Sequence, residues 1–177
     1  MAEVLIRDIP EDVLARLKAK ADIRGHSLEY DRGDAGEAAR ARVLGADSRG
    51  PRLAMSLVVD ASVAIKWYLI EPHRTEALAL QHAGVVLCAP DLIVAEIGNA
   101  MWRQVTVGQV SAGYATTAVS NAPTCFLELV PAAELAPRAI EMAIQLRHPI
   151  YDCLYLALAE REGTVVVTAD RRLLNRV

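Results

Sequence analysis

From about Met55 onward the amino-acid sequence predicts an α/β fold built on a mainly parallel sheet, and two observations carry that expectation. Short β-prone apolar runs alternate with stretches of helical periodicity, the pattern of strands joined by crossover helices. A hydrophobic content of 53% supplies enough apolar surface to cover such a sheet on both faces. A chain of 177 residues has room for one domain of this kind and a short additional element.

The additional element comes first. Val4-Leu5-Ile6 is β-prone, Pro10-Glu11-Asp12 suits the first turn of a helix, and Val13, Leu14, Leu17 and Ala21 continue with helical spacing to Gly25. This makes a short β-α arm over residues 1–30. Ser27 is placed to cap a second helix, yet Asp31 to Gly36 brings two glycines and no large apolar residue to its inner face. Residues 31–54 are mostly Ala, Gly, Arg and Asp, which bury too little apolar area to offset the entropy of ordering; they read as a linker, with some helix near Glu37 to Leu44.

The domain over 55–177 then reads element by element. Ser56 to Asp60 is a buried strand, Ser62 caps a helix from Val63 to Leu69, and Arg74 to Ala83 is a second helix. Val85 to Cys88 is the next strand, after which Pro90 opens a helix reaching Arg103. A helix from Ser111 to Ser120 leads to a strand from Phe126 to Val130 and a long helix from Ala132 to Arg147, with a kink expected at Pro137. Beyond Pro149 come a helix from Asp152 to Glu160, a final strand from Thr164 to Thr168 and a helical turn from Arg171 to Leu174.

Several classes of function are excluded by composition. A net charge of -3 disfavours a protein that holds nucleic acid by a broad cationic surface, so any such contact is local. Cys88, Cys125 and Cys153 are odd in number and lack a paired spacing, which argues against a disulfide framework or a zinc site. His26, His73, His82 and His148 have no mutual spacing for a metal or a Ser-His-Asp triad. Charges at Glu3, Arg7 and Asp8 break the apolar stretch that a signal peptide needs, and Asp60 and Lys66 interrupt the longest apolar run, so a soluble cytoplasmic protein with no membrane partner is expected.

Four acids stand out. Asp60 ends the run Leu57-Val58-Val59 and Asp170 follows Val165-Val166-Val167-Thr168-Ala169, which sets both at carboxyl ends of strands, where open parallel sheets bind ligands. Asp152 falls in the first turn of a helix, a place an acid favours for its own sake. Glu96 interrupts an apolar surround and shares a helical face with Leu92 and Asn99, so a buried face bearing Glu96 and Asn99 is expected to need partners. Four carboxylates brought together repel and raise one another's pKa unless a cation neutralises them. Mg²⁺ or Mn²⁺ suits such oxygen donors, keeps waters that exchange with phosphate oxygens, and matches phosphodiester hydrolysis.

Together, Val58-Val59-Asp60-Ala61-Ser62-Val63, Ala89-Pro90 through Glu96 to Asn99, Tyr151-Asp152 through Leu158-Ala159-Glu160, and Val167-Thr168-Ala169-Asp170 resemble PIN domains, especially the VapC-type toxins of bacterial toxin–antitoxin pairs. The similarity covers Met55 to Val177. It implies a three-layer α/β/α fold around a mainly parallel sheet, Mg²⁺- or Mn²⁺-dependent endoribonuclease activity, and a homodimer formed through this domain. It further implies that Asp60, Glu96, Asp152 and Asp170 are the metal-holding catalytic acids, while Ser62, Asn99 and Thr168 orient carboxylates or waters.

Residues Met1 to Pro10, Leu14-Ala15-Arg16-Leu17-Lys18 and Gly25 to Glu29 resemble the start of a ribbon-helix-helix antitoxin, a module whose paired strands read the DNA major groove. Arg7 is then the candidate DNA contact. The match stops near Tyr30, and the missing apolar face of the second helix counts against DNA binding. These features fit two neighbouring coding regions that have fused, with Met55-Ser56 marking an old toxin start; a separate antitoxin is a further partner, and Arg49 or Arg52 of the linker has the chemistry to imitate its basic tail.

Other readings stay open at this level. Trp67-Tyr68 and Trp102 suit either base stacking or core contacts, and Lys66 and Arg171-Arg172 suit either phosphate steering or solvated helix ends. Asp60 at a strand end also fits a phosphatase-like nucleophile, although Ser62 stands where that chemistry wants a second acid. A catalytically silent DNA- or protein-binding regulator is the remaining alternative.

Overall fold

The computed structural model describes residues 56–174. The β-α arm with Arg7, the linker and the last three positions, 175–177, lie outside the described residues.

Strand β1 (Ser56–Val59) leads into a short helix α1 (Ala61–Ala64) and a 3₁₀ turn (Ile65–Trp67), then α2 (Arg74–Gln81). Strand β2 (Val86–Pro90) is followed by α3 (Leu92–Thr106), α4 (Ala112–Asn121) and a second 3₁₀ turn (Ala122–Cys125). Strand β3 (Glu128–Val130) is followed by α5 (Ala132–Leu146), α6 (Ile150–Glu162), β4 (Val166–Val167) and α7 (Arg171–Leu174). The strand order is β3-β2-β1-β4 and every pairing is parallel, with Leu57 opposite Leu87 and Val59 opposite Val167.

This order fixes where the helices go. From β1 through β2 to β3 the chain steps one way, and from β3 it returns across the sheet to the far side of β1. Right-handed crossovers then set α1 to α4 on one face and α5 and α6 on the other. Leu57, Val58 and Val59 are each 0% exposed, although successive strand residues point to opposite faces, so both faces of β1 are covered. Helix α6 is buried along Cys153, Leu154, Tyr155, Ala157, Leu158 and Ala159 because it lies between the sheet and α5.

Several element boundaries depart from the sequence expectations. Helix α1 begins at Ala61 with Asp60 as its extended N-cap residue, so Ser62 is inside the helix and does not cap it. Strand β2 runs on through Pro90, and the next helix starts at Leu92. Pro90 tolerates this because Leu87 of β2 and Asp91 just after it bond toward β3, which turns Pro90 toward the β1 side, beyond the last paired β1 residue opposite Cys88. Helix α5 passes Pro137 without interruption, because Ala133, whose carbonyl loses its helical partner there, is exposed to water. The last strand is short: only Val166–Val167 pair with β1, while the Thr164 hydroxyl donates to the Ser56 carbonyl. Trp67 is a core residue, its indole N–H donating to the Ala77 carbonyl at 2.8 Å and its ring 5.6 Å from that of Phe126, which closes the base-stacking reading for it.

Helix α5 ends at Arg147, left-handed at φ 51°, and the His148 N–H returns to the Ala143 carbonyl at 3.1 Å. Pro149 then starts α6. Among the described residues no helix is long and apolar enough to cross a membrane.

Leu158 is fully buried and Ile144 is 72% exposed, which sets a paired test of this packing. Leu158→Ala is expected to cost about 2–5 kcal/mol in urea unfolding of the full chain, whereas Ile144→Ser stays within about 0.5 kcal/mol.

Candidate active site

The chain leaves β1 toward β2 but reaches β4 on the other side, so the crevice outside the carboxyl ends of β1 and β4 is the topological switch point of the sheet. Asp60 stands directly after β1, and Thr168 to Asp170 directly after β4. At 6% exposure Asp60 is one of the few buried charged residues, and burial of a carboxylate requires donors. Two hydroxyls converge on its Oδ2, Ser62 Oγ at 2.6 Å and Thr168 Oγ1 at 2.6 Å. Each hydroxyl also accepts a backbone N–H from the segment after β4, Ser62 from Ala169 and Thr168 from Asp170, both at 2.9 Å. This network fastens the end of β4 to the end of β1. Burial pushes the Asp60 carboxyl up and the nearby Asp152 charge adds to it, while the Ser62 and Thr168 hydrogen bonds oppose the rise.

Glu96 sits on the second turn of α3, half-buried, and the Tyr155 hydroxyl of α6 donates to its Oε2. Burial raises its carboxyl to about 7; the Tyr155 hydrogen bond opposes the rise, and the charges of Asp60 and Asp152 reinforce it. Tyr155 is itself fully buried, and burial followed by the Glu96 and Asp60 charges pushes its phenol up, so it remains a neutral donor. Asp152, in the first turn of α6, precedes Tyr155 by three residues on the same helical face. Its Oδ2 is 2.6 Å from Nε2 of His148, whose side chain is only 6% exposed. Asp170 accepts the Arg172 N–H on Oδ1 at 2.7 Å and thereby caps α7.

A common arrangement emerges. The hydrogen bonds described for the Glu96, Asp152 and Asp170 side chains each fall on one carboxylate oxygen, and the two hydroxyls at Asp60 share its Oδ2. Asp60, Glu96 and Asp152 act on one another electrostatically, and Asp170 joins the same edge through its backbone bond to Thr168. Engaged with their own partners, the side chains stay apart: among the described residues no three His, Cys, Asp or Glu groups are gathered so as to hold a metal ion. The donor chemistry nevertheless fits a hard dication, because three mutually repelling carboxyls, two of them held above their ordinary range, are what such an ion would relieve.

Of the residues expected to orient the acids, Ser62 and Thr168 touch Asp60 directly, whereas Asn99 does not lie on a buried face. The buried stripe of α3 is Ile93, Ile97, Ala100 and Met101; Glu96 lies at its edge, and Asn99 a further 60° or so round the helix is exposed. Lys66 is buried and paired to Glu71 at 2.9 Å, so it is not a free phosphate-steering charge. Tyr155 and His148 were missed by sequence reasoning. Their signal was the spacing to Asp152, three residues on and four residues back, which weighing histidines only against one another for metal spacing overlooks.

Both parts of the chain are similar to known proteins. The pattern of the PIN domain family matches residues 57–177, and that of the FitA-like ribbon-helix-helix antitoxins matches residues 2–30. Ribonuclease VapC3 of Pyrobaculum aerophilum is 29% identical over 124 residues, covering 69% of this chain and 95% of that protein. Ribonuclease VapC1 of Mycobacterium tuberculosis is 38% identical over 87 residues, covering 48% of this chain and 63% of that protein. The crystal structure of PAE2754 from Pyrobaculum aerophilum superposes with a TM-score of 0.50 at 28% identity, covering 72% of this chain and 88% of that one.

The raised carboxyl of Glu96 makes stability depend on pH. With a folded value of about 7 against an ordinary 4.5, its proton is held more tightly in the folded protein, so this contribution is whole below about pH 4.5 and is lost as pH rises through 7. Urea midpoints of the metal-free protein should therefore fall over that window more steeply for wild type than for Glu96→Gln, which cannot titrate; parallel profiles would contradict the assignment.

Proposed function

Because the chain belongs to the PIN domain family, we propose that it is a ribonuclease toxin of a toxin–antitoxin system, hydrolysing RNA phosphodiesters with Mg²⁺ or Mn²⁺ held by Asp60, Glu96, Asp152 and Asp170. The observation that carries this reading is a buried Asp60 at the switch point, held by two hydroxyls and coupled in charge to Glu96 and Asp152.

When bound, the dication supplies neutralising charge for phosphate oxygens and lowers the pKa of a water nucleophile. The chain's own residues prepare that site. Ser62 and Thr168 orient Asp60, Tyr155 orients Glu96 and His148 orients Asp152, each through one carboxylate oxygen, which leaves the other oxygen of each acid outside these bonds. To hold a cation Glu96 would have to be ionised, and burial holds its carboxyl up to about 7, so affinity for the metal would rise with pH. Hydrolysis adds water across the phosphodiester: a new P–O bond forms, the bond to the leaving oxygen breaks, and the products carry one phosphate end and one hydroxyl end.

The antitoxin-like match at 2–30 supports a chain in which an antitoxin start has been joined through residues 31–54 to the toxin. DNA contact by Arg7, pairing with a separate antitoxin, and a homodimer of the PIN domain belong to the same reading.

In an assay of the full chain on single-stranded RNA, cleavage is expected with Mg²⁺ or Mn²⁺, to vanish with EDTA, and to fall about 100-fold or more in Asp60→Asn. Cleavage indifferent to both would overturn the mechanism. As a positioning residue, His148 is expected to act on metal affinity: Mn²⁺ titration of His148→Ala should show a loss of about 10–100-fold, with partial recovery in His148→Gln. Equal affinities in all three proteins would remove that role.

A further inference from the structure

A groove of about 370 Å³ opens beside the carboxylates, and nothing in the site described so far uses it. Ser62 and Ala169 form its near wall, and these are the two residues whose mutual hydrogen bond ties β4 to the Asp60 network, so the groove and the carboxylates share a boundary. Its apolar surface comes from Ile65 and Leu69. Its polar lining residues include the Lys66–Glu71 ion pair, Arg103 and Gln104.

These groups differ in how far they are already satisfied. Lys66 and Glu71 neutralise each other at 2.9 Å, whereas the side chains of Arg103 and Gln104 take no part in the ion pairs and hydrogen bonds identified among the described residues, only their backbone carbonyls accepting bonds. An uncommitted guanidinium facing a groove next to the reacting phosphate is suited to a neighbouring phosphate. The apolar surface is suited to the flat face of a base. Gln104 and the acceptor oxygens of Glu71 are suited to a base edge.

Resting on the ribonuclease reading above, we infer that this groove is a nucleotide subsite, holding the residue of single-stranded RNA adjacent to the scissile bond. Arg103 takes its phosphate, Ile65 and Leu69 carry its base, and Gln104 with Glu71 discriminates among bases. Chain continuity favours RNA over a peptide here, because a strand laid across Asp60 must leave the carboxylates past Ser62 or on the opposite side. It also explains how a protein of net charge -3 contacts nucleic acid, through one local cation and not a broad basic face.

The test measures binding of labelled six-nucleotide RNAs to the full chain carrying Asp60→Asn, alone and combined with Arg103→Ala, Gln104→Ala or Arg138→Ala. Arg138 lies on α5, on the other face of the sheet, and is already paired with Glu160 and Glu141. Arg103→Ala is expected to weaken binding about tenfold and to reduce the slope of log affinity against log salt by about 0.7, the share of one phosphate contact. Gln104→Ala is expected to compress the affinity differences among U, C, A and G hexamers, and Arg138→Ala to change neither quantity. If Arg103→Ala leaves affinity and salt slope where they were, the subsite is refuted, and the groove then suits a peptide. That result with metal-dependent RNA cleavage intact would refute the subsite alone; Arg103-dependent binding by a protein that cleaves no RNA would uphold the subsite and refute the ribonuclease reading.

Discussion

The burial of one carboxylate constrains everything around it. Asp60 is placed almost out of water at the end of a strand covered on both faces, and a group so placed must be met by donors or not be charged at all. Ser62 and Thr168 meet it from positions 106 residues apart in sequence. Their hydroxyls have one proton each, which they give to Asp60, and they accept from the backbone after β4, so neither proton is free to serve elsewhere. The short β4 pairing is reinforced by this side-chain clasp, which holds in place the segment carrying Asp170.

Around that point the other acids are arranged as a set of half-engaged carboxylates. Helix α6 supplies Asp152 and Tyr155 from a single face, and Tyr155 reaches across to Glu96 on α3, so the two helix layers are linked through the site as well as through the sheet. The left-handed turn at Arg147 brings His148 back toward the start of α6, where its ring meets Asp152. A backbone device at the end of one helix thereby positions a side chain for the next. The electrostatic cost of this arrangement is visible in the raised carboxyls of Asp60 and Glu96, and a cation is the partner able to offset it.

The phosphatase-like alternative asks for an accessible nucleophile at Asp60 with a second acid two residues on. Ser62 stands there instead, as a donor to Asp60, and the carboxylate is buried. Such a residue suits holding a charge in place better than attacking a substrate. The ion pair of Lys66 with Glu71 likewise shifts attention from a residue conspicuous in sequence to Arg103, which the sequence reading named only as the end of a helix.

How much of this was legible beforehand follows from the range of the forces involved. Alternation of apolar runs and helical periodicity is a local property, and the order of strands and helices, the parallel sheet and the strand-end places of Asp60 and Asp170 could be read from it. The family resemblance added Ser62 and Thr168, which do bond to Asp60, and Asn99, which does not, because a 60° step round α3 carries it from the edge of the buried stripe into solvent. Boundaries shifted where tertiary context intervened, as at Pro90, whose missing N–H faces no partner. Tyr155 and His148 remained hidden although both share helical spacing with Asp152, since spacing alone does not say that a phenol or an imidazole meets a carboxylate; the reach of the Tyr155 hydroxyl to Glu96 on α3 and the turn after α5 make them partners of carboxylates. Sequence alone therefore determined the elements and the acids, through short-range periodicity and covalent position. Tertiary structure alone decided which oxygen of each acid is engaged and by what, because hydrogen bonds and desolvation act over a few ångströms between residues that the chain keeps far apart.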